Sequence, residues 1–159
     1  MAAPLALEAR ARSADAQIPP TRLRGVVFEG LGAGRQQFDV RAAHAEVDWA
    51  LRVATLQSVA IELPESERGS VHVRGDVGRF DLVTENFELE GHVEGTTSRG
   101  EHFFMKRLRY HQGRNVLLGD GAVRVERGPT VFEGSGLEID LETHRVQFTG
   151  AVRARVVPR

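Results

Sequence analysis

Between Val71 and Val156 the chain states one pattern three times: an alternating strand, a polar turn, a second strand and a glycine. Phe87, Val116 and Val146 recur about every 30 residues, as do Val93, Val123 and Val152, and a period of that length marks stacked supersecondary units. The first copy runs from Phe80-Asp81-Leu82 through Glu85-Asn86 to Phe87–Val93. The second runs from Phe104–Tyr110 through Gly113-Arg114-Asn115 to Val116–Val123, and the third from Leu137–Leu141 through Thr143-His144 to Val146–Val152. Alternation within each copy gives it one apolar face that it cannot bury alone. Every connection is too short for a crossover helix, so the pairing is expected to be antiparallel and the fold all-β.

Upstream of the repeats, Ile18-Pro19-Pro20 stops any helix and starts an extended segment. Leu23–Phe28 is expected to be the first strand, with a glycine turn at Gly30, Gly32 and Gly34 before Gln37–Val40. Ala42–Leu56 fits helical spacing through Ala43, Val47, Leu51 and Ala54. It fits alternation at more positions, through Ala43, Ala45, Val47, Trp49, Leu51 and Val53, and so reads as strand. Val59–Leu63 is a strand that Pro64 ends before the charged turn Glu65–Gly69. Gln112-Gly113 and Asp120-Gly121 read as turn positions, and Gly128-Pro129 as the break before the last copy.

Alternation assigns Phe80, Leu82, Phe87, Leu89, Val93, Phe104, Leu108, Tyr110, Val116, Leu118, Val123, Val125, Leu137, Ile139, Leu141, Val146, Phe148 and Val152 to the inward side. Two such sheets face to face make a sandwich or jelly roll. These residues are either plain core or the lining of a channel, and periodicity alone does not separate the two. Gly134 and Gly136, on either side of Ser135, read as a turn, with a strand bulge as the alternative. The last strand, Val152 to Val156, alternates apolar residues with Arg153 and Arg155, a pattern suited to an exposed sheet edge.

Charge and residue types exclude several functions. The 21 basic and 22 acidic residues leave a net charge of -1 with no basic run, which argues against nucleic acid. Mean hydropathy is -0.28, and no apolar run reaches the ~20 residues of a membrane helix. With no cysteine, thiolate metal sites and thiol nucleophiles are absent. The six histidines, at 44, 72, 92, 102, 111 and 144, have no metal-ligand spacing, so neither metal nor cofactor is expected. Ser135 lacks a nucleophile-elbow motif. Asp48, Asp81 and Asp140 recur at strand ends, where turn hydrogen bonds account for them. No catalytic set emerges and the chain reads as a non-enzyme.

Several segments in order resemble the periplasmic domain of the LptC family, within the superfamily of LptA and OstA-like domains. They are Leu23-Arg24-Gly25-Val26 after its proline-rich entry, Thr84–Val93, Leu108-Arg109-Tyr110, Asp120–Val123, Gly134–Asp140 and Gly150-Ala151-Val152. The resemblance covers about residues 18–157 and implies a twisted, incompletely closed antiparallel β jelly roll, a β-taco, whose interior takes the acyl chains of lipopolysaccharide. It implies a groove lined by the inward residues above and protein contacts at both sheet edges. Leu23, Val26 and Phe28 are expected on one edge, and Val152, Ala154 and Val156 on the other. The implied partners are LptF and LptG of the inner-membrane ABC transporter, which deliver lipopolysaccharide, and LptA, which receives it at the C-terminal edge. The family carries one N-terminal membrane helix, which this chain lacks. Residues 1–17 are then expected to be the linker after an absent anchor, with the domain tethered to the inner membrane on its periplasmic side.

Two other readings stay open. One is a soluble LptA-like or OstA-like bridge protein that binds lipopolysaccharide without a tether. The other, the least supported, is a carbohydrate-binding jelly roll, which would display aromatic platforms; this chain has one Trp and one Tyr, both at inward positions by alternation.

Overall fold

The computed structural model describes residues 19–31, 37–64 and 69–158. The expected linker at 1–17, the turn glycines Gly32 and Gly34, and most of the charged turn after Pro64 lie outside the described residues. Ten strands follow one another: β1 (Thr21–Leu31), β2 (Gln37–Asp48), β3 (Val53–Pro64), β4 (Ser70–Asp81), β5 (Phe87–Thr96), β6 (Glu101–His111), β7 (Val116–Arg127), β8 (Thr130–Asp140), β9 (Arg145–Phe148) and β10 (Val152–Val156). All pair antiparallel, each with its predecessor through β8. The third copy then divides, with β9 beside one half of β8 and β10 beside the other.

The fold is thus all-β and an incompletely closed antiparallel jelly roll, as the resemblance implies, with its two layers formed by one sheet. Strand order runs from β1 to β10 without closing into a barrel. The sheet doubles over itself instead. Phe28 on β1 stacks on Phe80 of β4 with ring centroids 5.8 Å apart, where a flat sheet would hold strands three places apart at about 14 Å.

A crease across the strands makes the fold possible. Buried residues alternate along β2, β3, β4 and β6, then two consecutive residues face outward before alternation resumes: Ala43-His44, Gln57-Ser58, Asp76-Val77 and Lys106-Arg107. In β5 and β7 three residues, Glu90–His92 and Asp120–Ala122, fill that place. The ladders shift register there, at Arg74/Val77, Glu90/Val93, Met105/Arg107 and Gly119/Ala122. Bulges bend a strand and increase its twist, so a row of them folds the sheet. The backbone takes positive φ at the crease in Ser58, His92, Gly121 and Gly136. Asp120-Gly121 and Gly134–Gly136 are therefore bulged strand, not turns. Across the crease His92 Nδ1 and Asp76 Oδ2 are 2.7 Å apart, and that hydrogen bond, then the Asp76 charge, holds the imidazole above its ordinary pKa.

The hairpin turns at one end carry the repeat's signature. Asp48 Oδ1 accepts from the Leu51 N–H, Asp81 Oδ1 from Val83 and Thr84, and Asp140 Oδ1 from Glu142 and Thr143. The two Asp81 bonds pull its carboxyl below the usual range. Arg52, Glu85, Asn115 and His144 close these turns at positive φ. Successive turns are stapled: Leu82 N–H donates to Arg52 O, Gln112 N–H to Asn86 Oδ1, and Leu141 N–H to Asn115 O. The stretch read as one strand through Trp49 and Leu51 is instead the β2–β3 hairpin. Trp49 is exposed in its turn and donates to Thr21 Oγ1 at 2.7 Å, which corrects its inward assignment.

Candidate functional site

The doubled sheet encloses one continuous apolar interior. Phe80, Phe87, Leu89, Val93, Leu108, Tyr110, Val123, Ile139 and Leu141 are buried in it, with Val125 and Leu137, and Leu82, Val146 and Phe148 pack against it half-buried. Four inward assignments are corrected. Phe104 stands in register with Glu94 and Arg124, so it lies on the opposite face and is half-buried; Phe103 and Met105 take its place inside. The cause is the step at Lys106-Arg107, which reverses the alternation that Leu108 and Tyr110 set. Leu118 likewise pairs with Arg109 and Glu138 on the outer face. Val116, though buried, stands in register with His111 and Asp140, and Leu117 points inward between Tyr110 and Ile139. Val152 is exposed.

About half of the interior comes from residues left out of the assigned groove. Phe38, Val40 and Val47 of β2, Leu56, Ile61 and Leu63 of β3, and Val71 and Val73 of β4 are all buried there. Their signal was available, since Phe38-Val40 and Ile61-Leu63 alternate as the repeats do. The Tyr110 hydroxyl, which reaches into the interior, donates to the buried Asn115 Oδ1 at 3.0 Å. Burial, and secondarily the Glu85 charge, pushes this phenol up to about 12.

Exposure rises toward the ends of the sheet. Val26 and Phe28 on β1, Phe132 on β8 and Phe148 on β9 are half-buried against the core, with Phe132 and Phe148 in ring contact at 6.4 Å. Beyond them Leu23 and Val27, and on the other edge Val152, Ala154 and Val156, are exposed. The interior is thus filled in its middle by its own side chains and lined by partly exposed apolar groups at an unsealed seam. β1 and β10 are the terminal strands of the sheet order, each with a pairing neighbour on one side only among the described residues.

The outer face is polar. Arg107 pairs with Glu88 at 3.1 Å, Arg109 grips Asp120 through two bonds of 3.0 Å, and Arg114 meets Glu138 at 3.3 Å. Exposed pairs of this kind fix register more than they stabilise. A cavity of about 920 Å³ opens along the crease, lined among others by His92, Phe104, Lys106, Ala122 and Arg124. Among the described residues no three His, Asp or Glu could hold a metal ion, and no helix is long and apolar enough to cross a membrane. Ser135 sits within β8 opposite Ala122.

Comparison with known proteins matches this geometry to a family. The model of the LptC-related lipopolysaccharide-assembly proteins fits residues 21–157. Among solved structures, the fold is similar to LptH from Pseudomonas aeruginosa, the LptA homologous periplasmic component of the conserved lipopolysaccharide transport device. The TM-score is 0.60 at 16% identity, over 77% of this chain and 96% of that one. No curated protein matches the chain in sequence. The structural likeness concerns the fold, an LptA-like open jelly roll, whereas the family match spans nearly every described strand. Proteins of this family carry cargo and are not enzymes, and the chain belongs to the LptC-related lipopolysaccharide-assembly family.

Proposed function

We propose that this domain is a periplasmic carrier that receives lipopolysaccharide from the inner-membrane ABC transporter, holds its acyl chains between the two layers, and passes it to LptA. The observation that carries the reading is the unsealed apolar interior: one doubled sheet, with partly exposed Phe28, Phe132 and Phe148 at its rims and no ladder joining β1 to β10. An acyl chain of about 12 carbons gains on the order of 10 kcal/mol on leaving water, at about 0.8 kcal/mol per methylene. Grooves of similar lining placed end to end pass such a chain on without exposing it. The layers spread about the crease to admit the lipid, because the middle of the interior is occupied by side chains at rest.

The groove in this reading is the inward set as the register corrects it, with Phe103 in place of Phe104 and Leu117 in place of Val116 and Leu118. The edges supply the partner contacts. Unpaired N–H and C=O groups on β1 and β10 accept a strand from a neighbouring domain, the LptF and LptG side at β1 and LptA at β10. A tether to the inner membrane N-terminal to the domain would hold it at the transporter.

The test is site-specific crosslinking in the assembled machinery. A photo-reactive residue at Ala154 is expected to capture LptA, and one at Val27 the transporter subunits. Capture of the same partner at both positions, or of neither partner, would contradict the assignment of the edges.

A further inference from the structure

Arg74, Arg107, Arg109, Arg114, Arg124 and Arg155 each pair with a carboxylate, whereas other arginines, Arg41, Arg79, Arg127, Arg145 and Arg153 among them, have no ion pair among the described residues. What sets β1 apart is clustering: Arg22 and Arg24 form no hydrogen bond or ion pair among the described residues, and neither does His44 on β2, which stands opposite Arg24 in register. These three side chains line a cavity of about 400 Å³ together with Glu46, Thr55 and Gln57. Glu46 is the one carboxylate present. It faces Arg22 in register and still makes no ion pair with it. Leu23 and Ala45, which stand between these residues on β1 and β2, complete the lining, so the cavity lies on the polar face beside the β1 rim.

A concave site with two guanidinium groups, an imidazole, a Thr hydroxyl and an amide, and a single carboxylate, fits a phosphate-sized anion. Guanidinium groups bind phosphate oxygens through charge-assisted, often bidentate hydrogen bonds. We propose that the β1–β3 cavity is a binding site for a phosphate monoester, with Arg22 and Arg24 as the principal donors and His44 and Gln57 as further donors. Glu46 keeps the site from being a general polyanion trap by repelling a second negative charge. The proposal goes beyond the carrier reading and is independent of it: a domain whose interior takes no acyl chain would still show this site.

The experiment uses the domain in solution with three soluble probes: dihexanoyl phosphatidic acid, dihexanoyl phosphatidylcholine and inorganic phosphate. Binding is followed by amide chemical shifts and calorimetry. Phosphatidic acid is expected to shift the amides of Arg22, Arg24 and His44 and to bind about tenfold tighter than phosphatidylcholine, the size of one strong charge-assisted contact. The R22Q/R24Q double variant, at two exposed positions, should remove that preference and leave phosphatidylcholine binding unchanged. R41Q, at an exposed arginine that does not line the cavity, should keep it. Inorganic phosphate binding at these amides as tightly as the lipid upholds the anion site and assigns it to the free ion, whereas tighter lipid binding assigns it to a headgroup. Equal affinity for the two lipids, a preference that survives R22Q/R24Q, or shifts confined to other strands would overturn the proposal.

Discussion

Phe38 on β2 and Tyr110 on β6 lie with ring centroids 6.2 Å apart, although three strands separate them in the sheet. Unfolded flat, the same strands would stand about 19 Å apart, so this contact exists because the sheet closes on itself. Phe38→Ala should then remove a wedge between the layers and cost about 3–5 kcal/mol in urea unfolding, as large core truncations do. Phe104→Ala, on the outer face, should cost about 1 kcal/mol. Comparable losses would put Phe104 back inside and overturn the register of β6.

Tyr110 should resist ionisation. Burial raises its pKa from the ordinary 10.0 to about 12, so ultraviolet titration of the folded protein should show no phenolate until near that value. The sign for stability follows: the unfolded phenol loses its proton from pH 10 upward while the folded one keeps it. Stability from this group is complete below pH 10 and falls as pH rises through about 12, and Tyr110→Phe should flatten that fall.

His92 titrates in the opposite sense to a buried histidine, because Asp76 raises its pKa and desolvation opposes only weakly. Its contribution to stability is present below 6.5 and is lost as pH rises through the folded value. Asp76→Asn should bring the His92 ring resonances back to ordinary titration in proton NMR. An unchanged midpoint would mean that the bridge over the crease is not formed in solution.

Two glycines should fail for different reasons. A Cβ on Gly95 would lie 2.1 Å from Phe103 Cζ inside the core, while one on Gly121 would meet nothing but sits at φ +75. Gly95→Ala should cost about 1–3 kcal/mol by overpacking, and a second change, Phe103→Leu, should recover part of it. Gly121→Ala should cost about 1 kcal/mol through the backbone alone, with no such rescue.

Repeats at fixed spacing made the strands legible from sequence, because each hairpin is set by local turn chemistry. Asp81 and Asp140 announce their turns, and the structure gives them that role. The crease was not legible. A two-residue outward step such as Lys106-Arg107 reads as a minor lapse in alternation, yet it reverses the phase of everything before it in the strand, which is why Phe104 was assigned inward and Phe103 overlooked. Gly136 carried the clue, since a glycine within a strand pattern signals a bulge, but one strand's bulge does not reveal a row of them. The incompletely closed jelly roll came from the family resemblance and not from periodicity, because a sandwich and a folded sheet require the same apolar faces, and only long-range contacts such as Phe38 with Tyr110 tell them apart.

The central claim is that the interior between the layers holds lipopolysaccharide acyl chains. Its most direct test places a photo-crosslinking residue in turn at Phe87, Leu108 and Ile139, which are buried in the interior, and at Glu88, which faces outward toward Arg107. Lipopolysaccharide adducts at the three interior positions and none at Glu88 are the expected result. Equal labelling at all four, or none at any, would contradict the account.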